Sequence, residues 1–259
     1  MKNASEEYNQ PQSLLVLGTP GSGKSTLIAQ IPGIFVLDSD RNMAGPRQWL
    51  KDNNKPLNFY YANPTVDDDG KPVPRDEQFQ RAMEQLQEAG ESKEIKAIAI
   101  DSLTSFTDIC LTEVMRQQGR ARGSFSFKSK VAKTVDEPLQ IQDWGAFFGL
   151  MKHIIFQLKN TDKMLVVTGH IKTDKDNLTG ILKQFIAIPG QMSEIIAGFF
   201  SEVWLLQRST ELKGQAKEEV YKVITFPSGS QTESLGLKSS IGVKSGEELD
   251  VEEVIRRFA

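Results

Sequence analysis

The sequence predicts an α/β protein with a mostly parallel central sheet, helices on both faces and an antiparallel C-terminal extension. Three observations lead there. Apolar runs at residues 13–17, 34–38, 95–100 and 164–168 each close on glycine or polar residues, as buried parallel strands do when their C-terminal ends face a ligand. Helix-forming stretches lie between the runs. Phe79, Met83 and Leu86 recur at spacings of four and three, and Phe147, Leu150, Met151, Ile154, Ile155 and Leu158 share one stripe over 143–159. Beyond residue 200, segments 202–206 and 221–226 read as strands separated by a polar turn over 209–218, and 247–258 as a last helix.

Composition narrows the class. With 39% hydrophobic and 25% charged residues in 259, the chain has ample core material for one large domain, 13–259, behind a polar arm at 1–12 that reads as flexible. A net charge of −3 excludes a globally basic nucleic-acid binder but leaves room for a local basic patch. Cys110 stands alone, so no disulfide forms within the chain, which suits a reducing interior. No apolar run approaches 18 residues and the arm has no signal-peptide core, so the expectation is a cytoplasmic protein with no membrane partner.

The first apolar run leads into Gly18-Thr19-Pro20-Gly21-Ser22-Gly23-Lys24-Ser25-Thr26, a P-loop pattern. Its glycines let consecutive backbone N–H groups curl around phosphates ahead of a helix N-terminus. In this pattern Lys24 reaches the β- and γ-phosphates of ATP and the Ser25 hydroxyl binds Mg²⁺. Pro32 ends the short helix that follows.

Later runs supply further groups. The strand at 95–100 closes on Asp101, which fits a Walker B carboxylate for the Mg²⁺ shell. From 116 to 133, Arg116, Arg120, Arg122, Lys128, Lys130 and Lys133 occur with no acid between them and with Phe125 and Phe127 interleaved. Cations for phosphates and rings for bases suit single-stranded nucleic acid; a solvated loop with two core Phe residues is the competing reading. His153 lies inside a helix and reads as structural. His170 closes the strand at 164–168 on the side where the other ligand groups gather, just before Lys172 and Lys175.

In this order, the motifs resemble the RecA/RadA recombinase core. More closely, they resemble small phage-encoded RecA-like ATPases linked to single-strand annealing and recombination. The resemblance spans roughly residues 13–242. It implies ATP and Mg²⁺ as cofactors, single-stranded DNA as partner, and a homo-oligomer with nucleotide at subunit interfaces. It also implies a single-strand-binding protein as a further partner and the cytoplasm of a bacterial host as location. Such proteins carry a catalytic Glu at the end of the strand after the P-loop; here Leu37-Asp38-Ser39-Asp40 holds that place, making Asp40 the counterpart. His170 matches the residue that senses the γ-phosphate, with 171–188 and 116–133 as the DNA-facing loops. Lys238 matches the first basic residue of an inter-subunit finger, whose second position is Ser240 here.

Two other classes share these motifs. A small-molecule or nucleotide kinase uses the same phosphate loop and an arginine-rich lid. A nucleotide-gated annealing clamp would bind ATP without turnover.

Overall fold

The computed structural model describes residues 12–120, 125–126, 131–132, 139–175, 180–213 and 216–248, with backbone alone at 125–126, 131–132, 212–213 and 216–218. In chain order the elements are β1 (Ser13–Gly18), α1 (Lys24–Ile28), β2 (Ile34–Asp38), α2 (Ala44–Asp52), β3 (Phe59–Ala62), α3 (Gln78–Glu91), β4 (Ala97–Asp101), α4 (Leu103–Gln117), and the two-residue pair β5 (Phe125–Ser126) and β6 (Val131–Ala132). There follow α5 (Ile141–Lys159), β7 (Met164–Lys175), β8 (Leu182–Ile186), α6 (Met192–Ile195), β9 (Glu202–Lys213), β10 (Ala216–Ile224) and β11 (Glu247–Glu248).

Nine strands form one sheet in the order β11-β10-β9-β1-β7-β4-β2-β3, with β8 paired to β7. Every pair from β9 across to β3 is parallel, whereas β10, β11 and β8 run antiparallel to their neighbours. This matches the expected sheet and its antiparallel extension.

The unbroken apolar runs follow from burial on both faces. Along β1, Leu15 and Leu17 enter a core shared with α3, α4 and α5, while Leu14 and Val16 enter the core under α1 and α2. The alternation repeats in β2 (Phe35 and Leu37 against Ile34 and Val36) and in β4 (Ile98 and Ile100 against Ala97 and Ala99). Cys110 is buried in α4, and burial pushes its thiol pKa up, so it is inert packing.

Several elements depart from the sequence reading. α2, β3 and α4 were not foreseen. β3 is a four-residue edge strand with Tyr60 and Tyr61 exposed, too short for a periodicity. α4 buries Thr107, Thr112 and Glu113 among its apolar residues, so no polar face marks it as a helix. The segment 209–218 is not a simple turn: β9 and β10 continue through it as a hairpin whose register runs from Ile224↔Leu205 to Ala216↔Lys213. Beyond the core this hairpin is held by charge pairs, Arg208 with Glu219 and Lys222 with Glu211, and charge hid its strand character. Where a last helix was expected, Glu247 and Glu248 pair with β10 as β11, and 249–259 lie outside the described residues. So do residues 1–11 of the arm; the Gln12 carbonyl accepts from Leu165 N–H (3.1 Å). His153 is exposed on α5. Among the described residues, no helix is long and apolar enough to cross a membrane.

Candidate nucleotide site

Parallel register brings three strand ends to one level beside the phosphate loop: Gly18 of β1 aligns with His170 of β7, and Leu17 with Leu205 of β9. The chain must turn sharply there. Gly21 (φ 77°) and Gly23 (φ 89°) adopt left-handed backbone that disfavours a side chain. A Cβ at Gly18 would come within 2.8 Å of the Leu206 carbonyl, and one at Gly23 within 2.9 Å of the Tyr221 ring. Tyr221, on the β10 arm, thus packs over the loop where α1 begins. Lys24 is buried, and its Nζ donates to the carbonyls of Gly18 (3.0 Å) and Thr19 (2.9 Å). Burial lowers its pKa, while the charges of Asp101 and Asp40 work in the opposite direction. The rim at Thr19, Pro20 and Gly21 is exposed, and the Ser22 hydroxyl is buried without a partner.

β7 lies between β1 and β4, so Thr168 and His170 stand between the loop and Asp101. Asp101 Oδ1 accepts from Thr168 Oγ1, the Ser25 hydroxyl lies beside the carboxylate, and Oδ2 is buried without a partner. Burial holds its carboxyl above the usual carboxylate range despite those bonds. An orphaned carboxylate oxygen beside a serine hydroxyl fits Mg²⁺, which takes one or two protein oxygens and completes its shell with phosphates and water. Among the described residues no group of three or more His, Cys, Asp or Glu forms a cation cage of its own.

Asp38 and Asp40 separate into two roles. Asp38 accepts the N–H groups of Asn42 (2.9 Å) and Met43 (3.2 Å), so it pins the turn into α2; burial raises its pKa. Asp40 accepts from Ser105 Oγ and lies 3.9 Å from His170 Nε2. Burial pushes its carboxyl up, but the polar groups of His170, Ser105 and Ser102 around it outweigh that and hold it below the usual range. His170 Nδ1 is buried without a partner, and its backbone carbonyl accepts from Ala187 N–H (2.8 Å).

Lys24, Ser25, Asp101, Asp40 and His170 therefore converge. Lys238 does not join them within the chain. Its backbone pairs with Val203 in both directions at 3.0 Å, and Val203 is level with Leu15, three residues short of Gly18. That is about 10 Å below the loop at a strand rise of about 3.3 Å per residue. Its charge instead sits near Lys159, whose pKa is lowered chiefly by burial and then by Lys238. Ser240 is structural, since its N–H and Oγ both donate to the buried Glu202 (2.5 Å each).

Two cations of the basic segment are paired within the chain. Arg120 is taken up by Asp143, a buried carboxylate at the start of α5, and Arg116 pairs with Glu113 (2.7 Å) one turn back on α4. Both acids lie outside the window 116–133, which is why that stretch looked unopposed. Arg122, Phe127, Lys128, Lys130 and Lys133 lie outside the described residues, and of Phe125 only the backbone in β5 is described. Lys172 and Lys175 are exposed on the outer half of β7. Sequence reasoning missed Thr168, Ser105 and Tyr221. A hydroxyl two residues before His170 was the one available signal.

The loop, the two acids and the mostly parallel sheet define a P-loop ATPase of α/β architecture. The chain belongs to the AAA domain family (AAA_24), whose family model matches residues 10–232. Among curated proteins no sequence matches significantly. Among solved structures, it is similar to the flagellar accessory protein FlaH from Methanocaldococcus jannaschii, at 11% identity and TM-score 0.37, over 89% of this chain and 83% of that one. It is also similar to an ATPase from the type III secretion system of pathogenic bacteria, at 12% identity and TM-score 0.44, over 76% of this chain and 52% of that one.

Proposed function

We propose that the protein is a Mg²⁺-dependent ATPase that couples its nucleotide state to binding of single-stranded DNA, as in strand annealing or recombination of the phage type. One observation carries the coupling. β7 runs unbroken from the nucleotide site into an exposed arm. Its inner half pairs with β1 and β4; from Ile171 to Lys175 it pairs only with β8, carrying exposed Lys172 and Lys175 outward. His170, which meets Asp40, is the residue at which β7 leaves the main sheet.

The chemistry follows from the side chains. Lys24 exchanges its two carbonyl partners for phosphate oxygens and offsets charge developing on the phosphoryl group. Mg²⁺ held by Ser25 and Asp101 would supply further charge neutralisation when bound. Asp40 orients the attacking water and takes its proton as the water oxygen bonds to the γ-phosphorus and the bond to the ADP oxygen breaks. His170 shares the Asp40 charge and so registers whether a γ-phosphate lies beside it. The exposed loop rim is open to a neighbouring copy, so the working form is a homo-oligomer in which Lys238 serves the adjacent subunit.

Fluorescence anisotropy of a labelled oligothymidylate tests the coupling. Affinity is expected to be higher with a non-hydrolysable ATP analogue than with ADP. The double variant Lys172→Glu, Lys175→Glu should weaken the analogue-bound state about tenfold or more at low salt, because phosphate contacts dominate such binding. Equal affinity in the two nucleotide states would overturn the coupling.

A further inference from the structure

A cavity of about 480 Å³ opens at the opposite edge of the sheet, between the segment after β2, the first turns of α2 and the end of β3. Arg41, Arg47, Lys51, Tyr61 and Asn63 line it. Asp38 is the acid among its lining residues, and that carboxylate is buried and taken up by two backbone N–H groups. The cleft therefore presents an excess of positive charge. Arg47 and Lys51 stand four apart on α2, on one face, where like charges repel in the free protein. Neither forms an ion pair among the described residues. Arg41 holds left-handed backbone (φ 57°). Its guanidinium bonds Thr65 Oγ1 (3.0 Å) and the Thr65 carbonyl (3.2 Å), which fixes the group while leaving further N–H donors unused. Tyr61 is 51% exposed, an aromatic face open to solvent.

We propose that this cleft is a second binding site for single-stranded nucleic acid, the cations meeting backbone phosphates and Tyr61 stacking on a base. Cations beside an exposed ring are the combination that holds an unpaired strand, since every base has a face to stack and every linkage has a charge. The inference rests on the reading that the protein engages single-stranded DNA, and adds where on the fold a strand is held. The cleft lies at the same end of the sheet as the phosphate loop, but β3 is four strand positions from β1, roughly 19 Å at about 4.8 Å per step. It lies closer to the β7–β8 arm, so one strand can cross the top of the sheet from arm to cleft. Arg41 directly follows Asp40, and a strand seated on Arg41 therefore bears on the residue that orients water.

Anisotropy titrations of labelled oligothymidylate across a salt series, with the full chain and an ATP analogue, test this. The double variant Arg47→Ala, Lys51→Ala should bind about tenfold more weakly at low salt, with the log–log salt slope shallower by about 1.4, the share of two phosphate contacts on a single strand. Tyr61→Ala should weaken binding and leave the slope unchanged. Basal phosphate release should persist in the double variant while its stimulation by DNA declines. Unchanged affinity and slope would overturn the cleft assignment and leave the coupling reading standing. So would loss of ATP affinity, which would assign the cleft to the nucleotide base, or loss of self-association by light scattering with DNA affinity intact. Absence of any DNA binding by the unaltered protein would sink both readings.

Discussion

Lys24→Ala is expected to leave a folded protein whose ATP turnover falls by about 10²–10³-fold or more, the scale seen when one charge-stabilising donor is removed from a transition state. The variant should fold because Lys24 is a liability to the empty protein. Burial lowers its pKa, so the folded state disfavours its charge, and the two loop carbonyls and the charges of Asp101 and Asp40 offset that only in part. Thermal melting separates fold from function. Saturating MgATP, at about 100 times Kd, should raise the Tm of the unaltered protein by roughly 5–10 °C, from about 2.7 kcal/mol of linkage. The Ala variant should show little of that rise. A variant that hydrolysed ATP normally would show that this loop does not hold the triphosphate.

Asp40→Asn is expected to separate binding from chemistry. Phosphate release should fall by about 10²–10⁴-fold, the usual contribution of a positioned general base. The MgATP-dependent rise in Tm should survive, because Asp40 is not among the phosphate-holding groups. The pH dependence has a definite sign. Burial raises the Asp40 pKa, but the polar groups of His170, Ser105 and Ser102 around the carboxylate hold it below the ordinary value. The base form is then populated at neutral pH, and the acid limb of turnover owed to this group lies below the ordinary carboxylate range. Its contribution to stability is likewise present above the unfolded pKa and lost as pH falls through the folded one. Normal turnover in Asp40→Asn would move the role of base to another residue.

Much of the sheet and the heart of the site was legible in the sequence, for physical reasons that also explain the gaps. β1, β2, β4 and the inner half of β7 are buried on both faces, so each shows as an apolar run, and each run points to the residue at its end. That logic led to Asp40, Asp101 and His170, which three separate segments bring together. It could not tell that Asp38 turns away to cap the entry to α2, because alternate residues of one acidic stretch look alike before the chain is folded. The shorter carboxylate at 40 makes sense only in space: Ser105 and His170 come to meet it. The outer part of the β9–β10 hairpin, held by charge pairs rather than burial, was read as a turn over 209–218. Arg120 looked free because its partner Asp143 belongs to a helix 23 residues away.

The most direct test follows labelled γ-phosphate from MgATP, with and without single-stranded DNA, in the presence of nucleoside monophosphates. The site of Lys24, Asp101 and Asp40 predicts that label accumulates as free phosphate, and faster when DNA is added. Label transferred to a monophosphate acceptor, or ATP bound but never cleaved, would contradict it.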